Sequence, residues 1–143
     1  SIYSSTHLKA ENAIINLCEG TKTKPIILRI SNIVGPPINK SINCWMLVIN
    51  DFCKQARMNE KIQINSSGIQ KRDFVSINDL NTIVYKIVKL KNNETENIYN
   101  VTSQRLVPII YLAKLIKRKI FKKYGVSIEI LVKKNIKKEN FKK

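Results

Sequence analysis

Four glycines, three cysteines, one histidine and ten acidic residues among 143 positions leave several functions without their usual raw material. Gly20, Gly35, Gly68 and Gly125 lie too far apart to form the strand-to-helix turn in which backbone closes on a dinucleotide pyrophosphate. Cys18, Cys44 and Cys53 are widely spaced and odd in number, so they offer neither a CxxC metal pair nor a disulfide framework. With His7 as the lone histidine, no metal site is expected, and reduced thiols point to a cytoplasmic setting. Long apolar runs are also missing. Cys44–Ile49 and Leu106–Ile110 fall far short of the roughly 20 residues a helix needs to cross a bilayer. No secretory pattern of basic region, apolar stretch and small-residue cleavage site stands at the start.

Acidic residues are scarce enough to leave a net charge of +16, which raises the question of a polyanionic partner. The charge is concentrated at one end: residues 114–143 hold 12 basic and 2 acidic side chains, leaving +6 for the first 113. The cations are 21 Lys against 5 Arg, whereas surfaces that read bases favour the planar guanidinium fork. Nucleic-acid binding is therefore the weaker reading, and the Lys-rich stretch 133–143 is expected to be a solvated tail.

What is present is a run of alternating helical and extended patterns. Leu8, Ala10, Ala13, Ile14 and Leu17 recur at helical spacing over Ser4–Cys18, with Gly20 placed to stop the helix. Pro25–Ile30 is almost continuously apolar, as in a strand buried on both faces of a parallel sheet, and Gly35-Pro36-Pro37 ends regular structure. A second helix fits Asn43–Met58, with Trp45, Leu47, Val48, Phe52 and Ala56 for its buried side. Ile62–Ile64 and Asp73–Ile77 alternate as adjacent short strands around a turn at Ser66-Ser67-Gly68, suggesting a small accessory lobe. Asn78 or Asp79 can cap a helix running to Leu90. Ile98–Val101 reads as a strand, Pro108 suits the first turn of a helix to about Lys122, and Ser127–Val132 reads as a last strand. Helices separating short strands indicate an α/β or mixed layered architecture.

The chemistry-bearing feature lies at the start. Tyr3 and His7 are four residues apart at the head of a helix and so share nearly one face. A tyrosine ordinarily titrates near pH 10, so proton transfer at neutral pH needs a neighbouring cation or donor that stabilises phenolate. Taken alone, the pair reads first as a surface tyrosine beside a surface histidine.

Four segments in order supply more. Tyr3-Ser4-Ser5-Thr6-His7-Leu8-Lys9-Ala10-Glu11 resembles the motif of the extended short-chain dehydrogenases/reductases in which a catalytic Tyr is followed four residues on by Lys; here that place holds His7. Leu28–Pro36, Gly68–Leu80 and Ile98–Val101 resemble, in turn, that family's strand-to-loop segment, its substrate-side signature and a later core strand. The chain is thus similar to the NAD(P)-dependent sugar-nucleotide epimerases/dehydratases, over residues 3–101, in the C-terminal portion that begins at the tyrosine motif.

That resemblance implies an α/β fold, the C-terminal half of a Rossmann-type parallel sheet with helices, plus parts of a small substrate-binding lobe. It implies a partial nucleotide domain over 1–132 with interleaved substrate-binding segments at about 36–77 and 103–132, ahead of the tail at 133–143. The implied reaction begins with oxidation of a hydroxyl on a nucleotide-linked sugar by NAD or NADP, for surface-polysaccharide or related carbohydrate synthesis, in a parent protein that forms a homodimer. Tyr3 would be the acid/base and, with His7, would meet the cofactor. Asn32 would lie by the sugar nucleotide and Arg72 by its diphosphate, a task suited to a permanently charged guanidinium. The plain alternatives are a turn-forming side chain for Asn32 and a salt bridge to Asp73 or Asp79 for Arg72. Lys9, six residues from Tyr3, lies roughly 120° around the helix and does not replace the missing lysine.

No glycine-rich turn is present and only two residues precede Tyr3. The expectation is that the larger part of the nucleotide domain lies before Ser1 and that these 143 residues alone do not turn over substrate. Two other readings remain at this point: a non-catalytic relative that binds a sugar nucleotide or a partner, and a basic nucleic-acid-binding protein.

Overall fold

The computed structural model describes residues 2–39, 41–91 and 97–133. Its elements are α1 (Ile2–Cys18), β1 (Ile27–Ile30), β2 (Asn32–Val34), α2 (Val48–Asn59), β3 (Lys61–Ile64), β4 (Lys71–Ser76), α3 (Ile77–Lys89), β5 (Ile98–Val101), β6 (Leu106–Pro108), α4 (Ile109–Tyr124) and β7 (Glu129–Val132). The architecture is mixed α/β. β1 pairs in parallel with β5, β2 with β4, and β3 with β7; β6 adds to β4 antiparallel.

The apolar run at Pro25–Ile30 does not form one strand buried on both sides. It becomes β1, and after Ser31 the chain moves on as β2 to a different partner. The Ser31 N–H still donates to the Val101 carbonyl at 3.0 Å, closing the β1–β5 ladder, while its hydroxyl turns to Asp73. Ile30 and Ile33 remain more than a third exposed, so this sheet is not covered on both faces by the chain's own helices. The strands near residues 62–77 do not pair with each other either. β3 takes β7 as its neighbour and β4 lies between β2 and β6. The second helix starts at Val48, later than its apolar pattern predicts, leaving Trp45 and Leu47 exposed ahead of it. Ser76, rather than Asn78 or Asp79, caps α3: its Oγ accepts from the Asp79 N–H at 3.0 Å and donates to Asp79 Oδ2 at 2.7 Å.

Two cores result. The larger joins Phe52 and Ala56 of α2, Ile62 and Ile64 of β3, Ile109, Leu112 and Ala113 of α4, and Ile128 just before β7. The smaller gathers Val75, Leu80 and Val101 between β4, α3 and β5. Helix α1 contributes to neither; Leu17 on its apolar side is 78% exposed, and the Glu11–Arg29 ion pair ties the helix to β1 at 2.6 Å. Arg29 thus braces the helix against the strand end. The Lys-rich stretch falls outside the described residues apart from Lys133, whose N–H donates to the Ile64 carbonyl at 3.0 Å. Among the described residues no helix is long and apolar enough to cross a membrane.

Gly35 lies against Ile77, which packs on the smaller core. A Cβ there would stand 2.6 Å from Ile77 Cγ2 and 3.1 Å from Ile77 Cβ, at the base of α3. A β-branched side chain at the first turn of a helix has little room to yield. Gly35→Ala is expected to lower stability by about 1–3 kcal/mol through overpacking, read as a lower urea midpoint at unchanged slope.

Candidate functional site: a cavity between β2, β4 and α2

Asn32 and Arg72 are brought to one cavity of about 550 Å³. β2 delivers Asn32 and β4 delivers Arg72, side by side in the register that pairs Asn32 with Phe74. The start of α2 supplies Leu47, Val48 and Asp51, and the β3 end supplies Gln63 and Ile64. Asn32 is a strand residue, not a turn former; its Nδ2 donates to the Asp73 carbonyl at 2.9 Å, spanning β2 to β4.

The expected alternative for Arg72, a salt bridge with Asp73 or Asp79, is not formed. Successive side chains on a strand point to opposite faces, so Arg72 and Asp73 diverge. Arg72 goes to the cavity with Gln70, its same-face neighbour, and has no ion-pair partner among the described residues. Asp79 is engaged at the α3 cap.

Asp73 turns instead into a cluster of donors. Oδ1 accepts from Ser31 Oγ at 2.6 Å and from the Ser103 N–H at 2.9 Å; Oδ2 accepts from Ser103 Oγ at 2.7 Å and from the Arg105 N–H at 3.1 Å. The Ser31 hydroxyl first, and then the Ser103 and Arg105 donors, hold this carboxyl down to about 2 against an ordinary 3.8, with partial burial opposing them. A depressed carboxyl stabilises the fold fully above its unfolded value, and that contribution disappears as pH falls from about 4 through about 2. Thermal melts of the native chain and Asp73→Asn are therefore expected to differ most at pH 5 and above and to converge towards pH 2. A constant gap across that range would show that the carboxylate charge does not matter to stability. Glu11, lowered by its hydrogen bond from Arg29, slopes the same way, so the comparison between variants isolates Asp73.

The tyrosine motif forms as its spacing predicts. Tyr3 and His7 sit one turn apart on α1 with ring centroids 4.3 Å apart and planes tilted by 47°. Tyr3 is 74% exposed, and neither ring lines the cavity that holds Asn32 and Arg72. A nicotinamide cofactor needs a glycine-rich cradle for its pyrophosphate, and the four scattered glycines do not make one. Among the described residues no cluster of three or more His, Cys, Asp or Glu could hold a metal ion.

Sequence reasoning missed Asp51, Gln63 and Gln70 as cavity residues and Asp73 as the centre of its own network. Asp51 is oriented by Gln55, whose Nε2 donates to Asp51 Oδ2 at 2.7 Å while its Oε1 accepts from the Gln63 N–H at 2.7 Å. The available signal was the strand period: Gln70 lies two residues before Arg72 and so shares its face.

The model of the NAD dependent epimerase/dehydratase family matches residues 1–102. A curated relative, dTDP-L-rhamnose 4-epimerase of Burkholderia thailandensis, is 28% identical over 116 residues, which are 81% of this chain and 31% of that protein. The chain thus spans about a third of that relative's length. UDP-N-acetylglucosamine 4-epimerase from Methanobrevibacter ruminantium, solved in complex with UDP-N-acetylmuramic acid, superposes with a TM-score of 0.73 at 18% identity, over 94% of this chain and 41% of that one. UDP-glucuronic acid 4-epimerase from Bacillus cereus, solved with UDP-glucuronic acid and NAD, gives 0.71 at 21%, over 95% and 40%. At such identities the structures speak for the fold.

Proposed function

The chain belongs to the NAD dependent epimerase/dehydratase family, and we propose that it carries the nucleotide-sugar side of such an enzyme, together with the acid/base tyrosine. The observation that carries this reading is the convergence on one cavity of Asn32 and Arg72, an arginine without an ion-pair partner among the described residues. A guanidinium facing a cavity with no ion-pair partner among the described residues suits a diphosphate, which accepts bidentate, charge-assisted hydrogen bonds. Asn32 has its Nδ2 committed to Asp73, leaving Oδ1 to accept from a ligand hydroxyl or N–H.

In this reading residues 36–77 and 103–132 form the substrate-binding segments. The larger core supports that division, since it unites α2 and β3 with α4 and β7 beneath the cavity. Tyr3 holds or releases the proton of the reacting sugar hydroxyl, and His7 donates to the cofactor ribose. NAD or NADP, when bound, supplies the reversible oxidation. The dinucleotide cradle has to come from a segment other than these residues, so the 143-residue chain by itself is not expected to turn over substrate. The parent protein is read as a homodimer of the cytoplasm, where free thiols such as Cys18, Cys44 and Cys53 persist.

Binding of UDP-glucose to the 143-residue chain tests the site directly. Arg72→Ala is expected to weaken it by about 10- to 150-fold, the equivalent of the ~1.5–3 kcal/mol carried by hydrogen bonds to a charged group. Equal affinity of the two proteins in calorimetry would remove Arg72 from the site. A second reading, a family member that binds a sugar nucleotide without redox turnover, is favoured by one observation: the position four residues after Tyr3 carries an imidazole in place of a permanent cation.

A further inference from the structure

We infer that Asp73 is a positioning residue for the cavity, a carboxylate that locks the turn between β5 and β6 onto the strand carrying Arg72 and thereby fixes both Arg72 and Asn32. The inference rests on the reading of Arg72 and Asn32 as substrate-binding residues and adds a group that does not itself touch the cavity.

The argument begins with the turn. Gln104 takes φ of 59°, a left-handed conformation that a side chain disfavours, and so has to be held by its surroundings. On either side of it the N–H groups of Ser103 and Arg105 converge on the Asp73 carboxylate at 2.9 and 3.1 Å. Successive backbone N–H groups flanking a left-handed residue form a concave anion site, and Asp73 fills it from within the protein. The other face of the same carboxylate takes the Ser31 hydroxyl at 2.6 Å, one residue before Asn32. Asn32 in turn donates to the Asp73 backbone carbonyl at 2.9 Å. Asp73 therefore grips the chain on both sides of β4: through its side chain to Ser31 and to the turn, and through its carbonyl to Asn32. Its neighbour Arg72 sits on a strand whose position is set at that point from both flanks, by β2 and by β6.

The donor arrangement specifies a carboxylate. Each oxygen accepts one hydroxyl and one backbone N–H. An asparagine would have to set its NH2 against either the Ser103 or the Arg105 N–H, whichever way the amide is turned, because a backbone N–H cannot accept. One side of the clamp opens in either orientation.

The test uses the 143-residue chain, with UDP-glucose as probe and Asp73→Asn, Arg72→Ala and the double variant compared. Asp73→Asn is expected to weaken UDP-glucose about tenfold, the loss of one positioned charged hydrogen bond. In the Arg72→Ala background the same change is expected to cost less than about twofold, since contacts acting through one group are not additive. Full multiplication of the two losses would overturn the inference. A ligand-free readout separates it from the fate of the binding site: the Asn32 side-chain amide and Arg72 Nε–H resonances are expected to shift in Asp73→Asn. If both stay where they are in the native chain, Asp73 does not position them, whatever UDP-glucose does. If UDP-glucose binds neither protein while those resonances shift, the positioning stands and the substrate reading falls. Ser103→Ala, which removes one hydroxyl donor and leaves both backbone N–H groups, is expected to give the same pattern at smaller amplitude and replaces Asp73→Asn should that variant fail to fold.

Discussion

Tyr3→Phe is expected to lower turnover by about 10²- to 10⁴-fold, the range carried by a positioned general acid/base, while leaving UDP-glucose affinity within about twofold. The measurement requires these residues joined to a segment that supplies a glycine-rich dinucleotide turn, because the chain has none. The two readouts separate because Tyr3 lies outside the cavity that holds Arg72, so removing the phenolic oxygen deletes a proton carrier without touching the diphosphate contact. A fall in affinity matching the fall in rate would instead make Tyr3 a binding residue. His7 provides the companion measurement. Its ring lies 4.3 Å from the Tyr3 ring. A lysine at position 7 carries a full charge at neutral pH, where an ordinary imidazole is mostly neutral, and so stabilises phenolate better. His7→Lys is expected to raise turnover at pH 7, and equal rates in the two proteins would show that position 7 does not assist the phenol.

How far the sequence reaches is seen by comparing Arg72 with Asp73. Arg72 was legible: it sits in a family-like segment, and the strand period sends its side chain away from the neighbouring carboxylate. Asp73 entered the sequence reading only, with Asp79, as the salt-bridge alternative to a ligand for Arg72. Its real partners are Ser31, 42 positions earlier, and Ser103, 30 positions later. No periodicity reports contacts at such separations; they exist because β2 and β6 flank β4. The same limit explains the strands. Pro25–Ile30 was visible as an apolar run and Ile98–Val101 as a strand, but the break at Ser31 that passes the chain from β5 to β4 depends on which strand lies alongside. The late start of α2 is a related case: Trp45 and Leu47 continue the apolar pattern in sequence, yet both stand exposed ahead of a helix that begins at Val48. The Tyr3 helix was the most local feature of all, and its geometry followed from spacing, whereas its covering did not, since no buried residue of this chain lies on it.

Phe52→Ala is expected to lower the stability of the chain by about 3–5 kcal/mol, a third or more of what a domain of ordinary stability possesses. Phe52 is 3% exposed and packs in the larger core with Ile62, which is wholly buried, and with Leu112. Its environment is close-packed on one side and open on the other, because Phe52, Ile64 and Ile109 belong to this core and also line the cavity of Arg72. Truncation there removes apolar area from the core and enlarges a cavity that water can enter. The ring's departure therefore costs the transfer term in full, while water relieves part of the empty-volume term, which places the expected loss towards the lower end of the range. The same geometry couples stability to function: Asp51, one residue before Phe52, and Leu47 and Val48 enter the cavity from the start of α2, so a loosened α2 weakens UDP-glucose binding as well. Urea unfolding of the ligand-free chain measures the first effect and calorimetry below the unfolding midpoint the second. Leu17→Ala is the control: equally a large apolar side chain but 78% exposed, it is expected to stay within about 0.5 kcal/mol of the native chain. Equal losses at Leu17 and Phe52 would mean that α1 is covered in solution, and that the apolar side of the tyrosine helix contributes to folding as much as the floor of the cavity does.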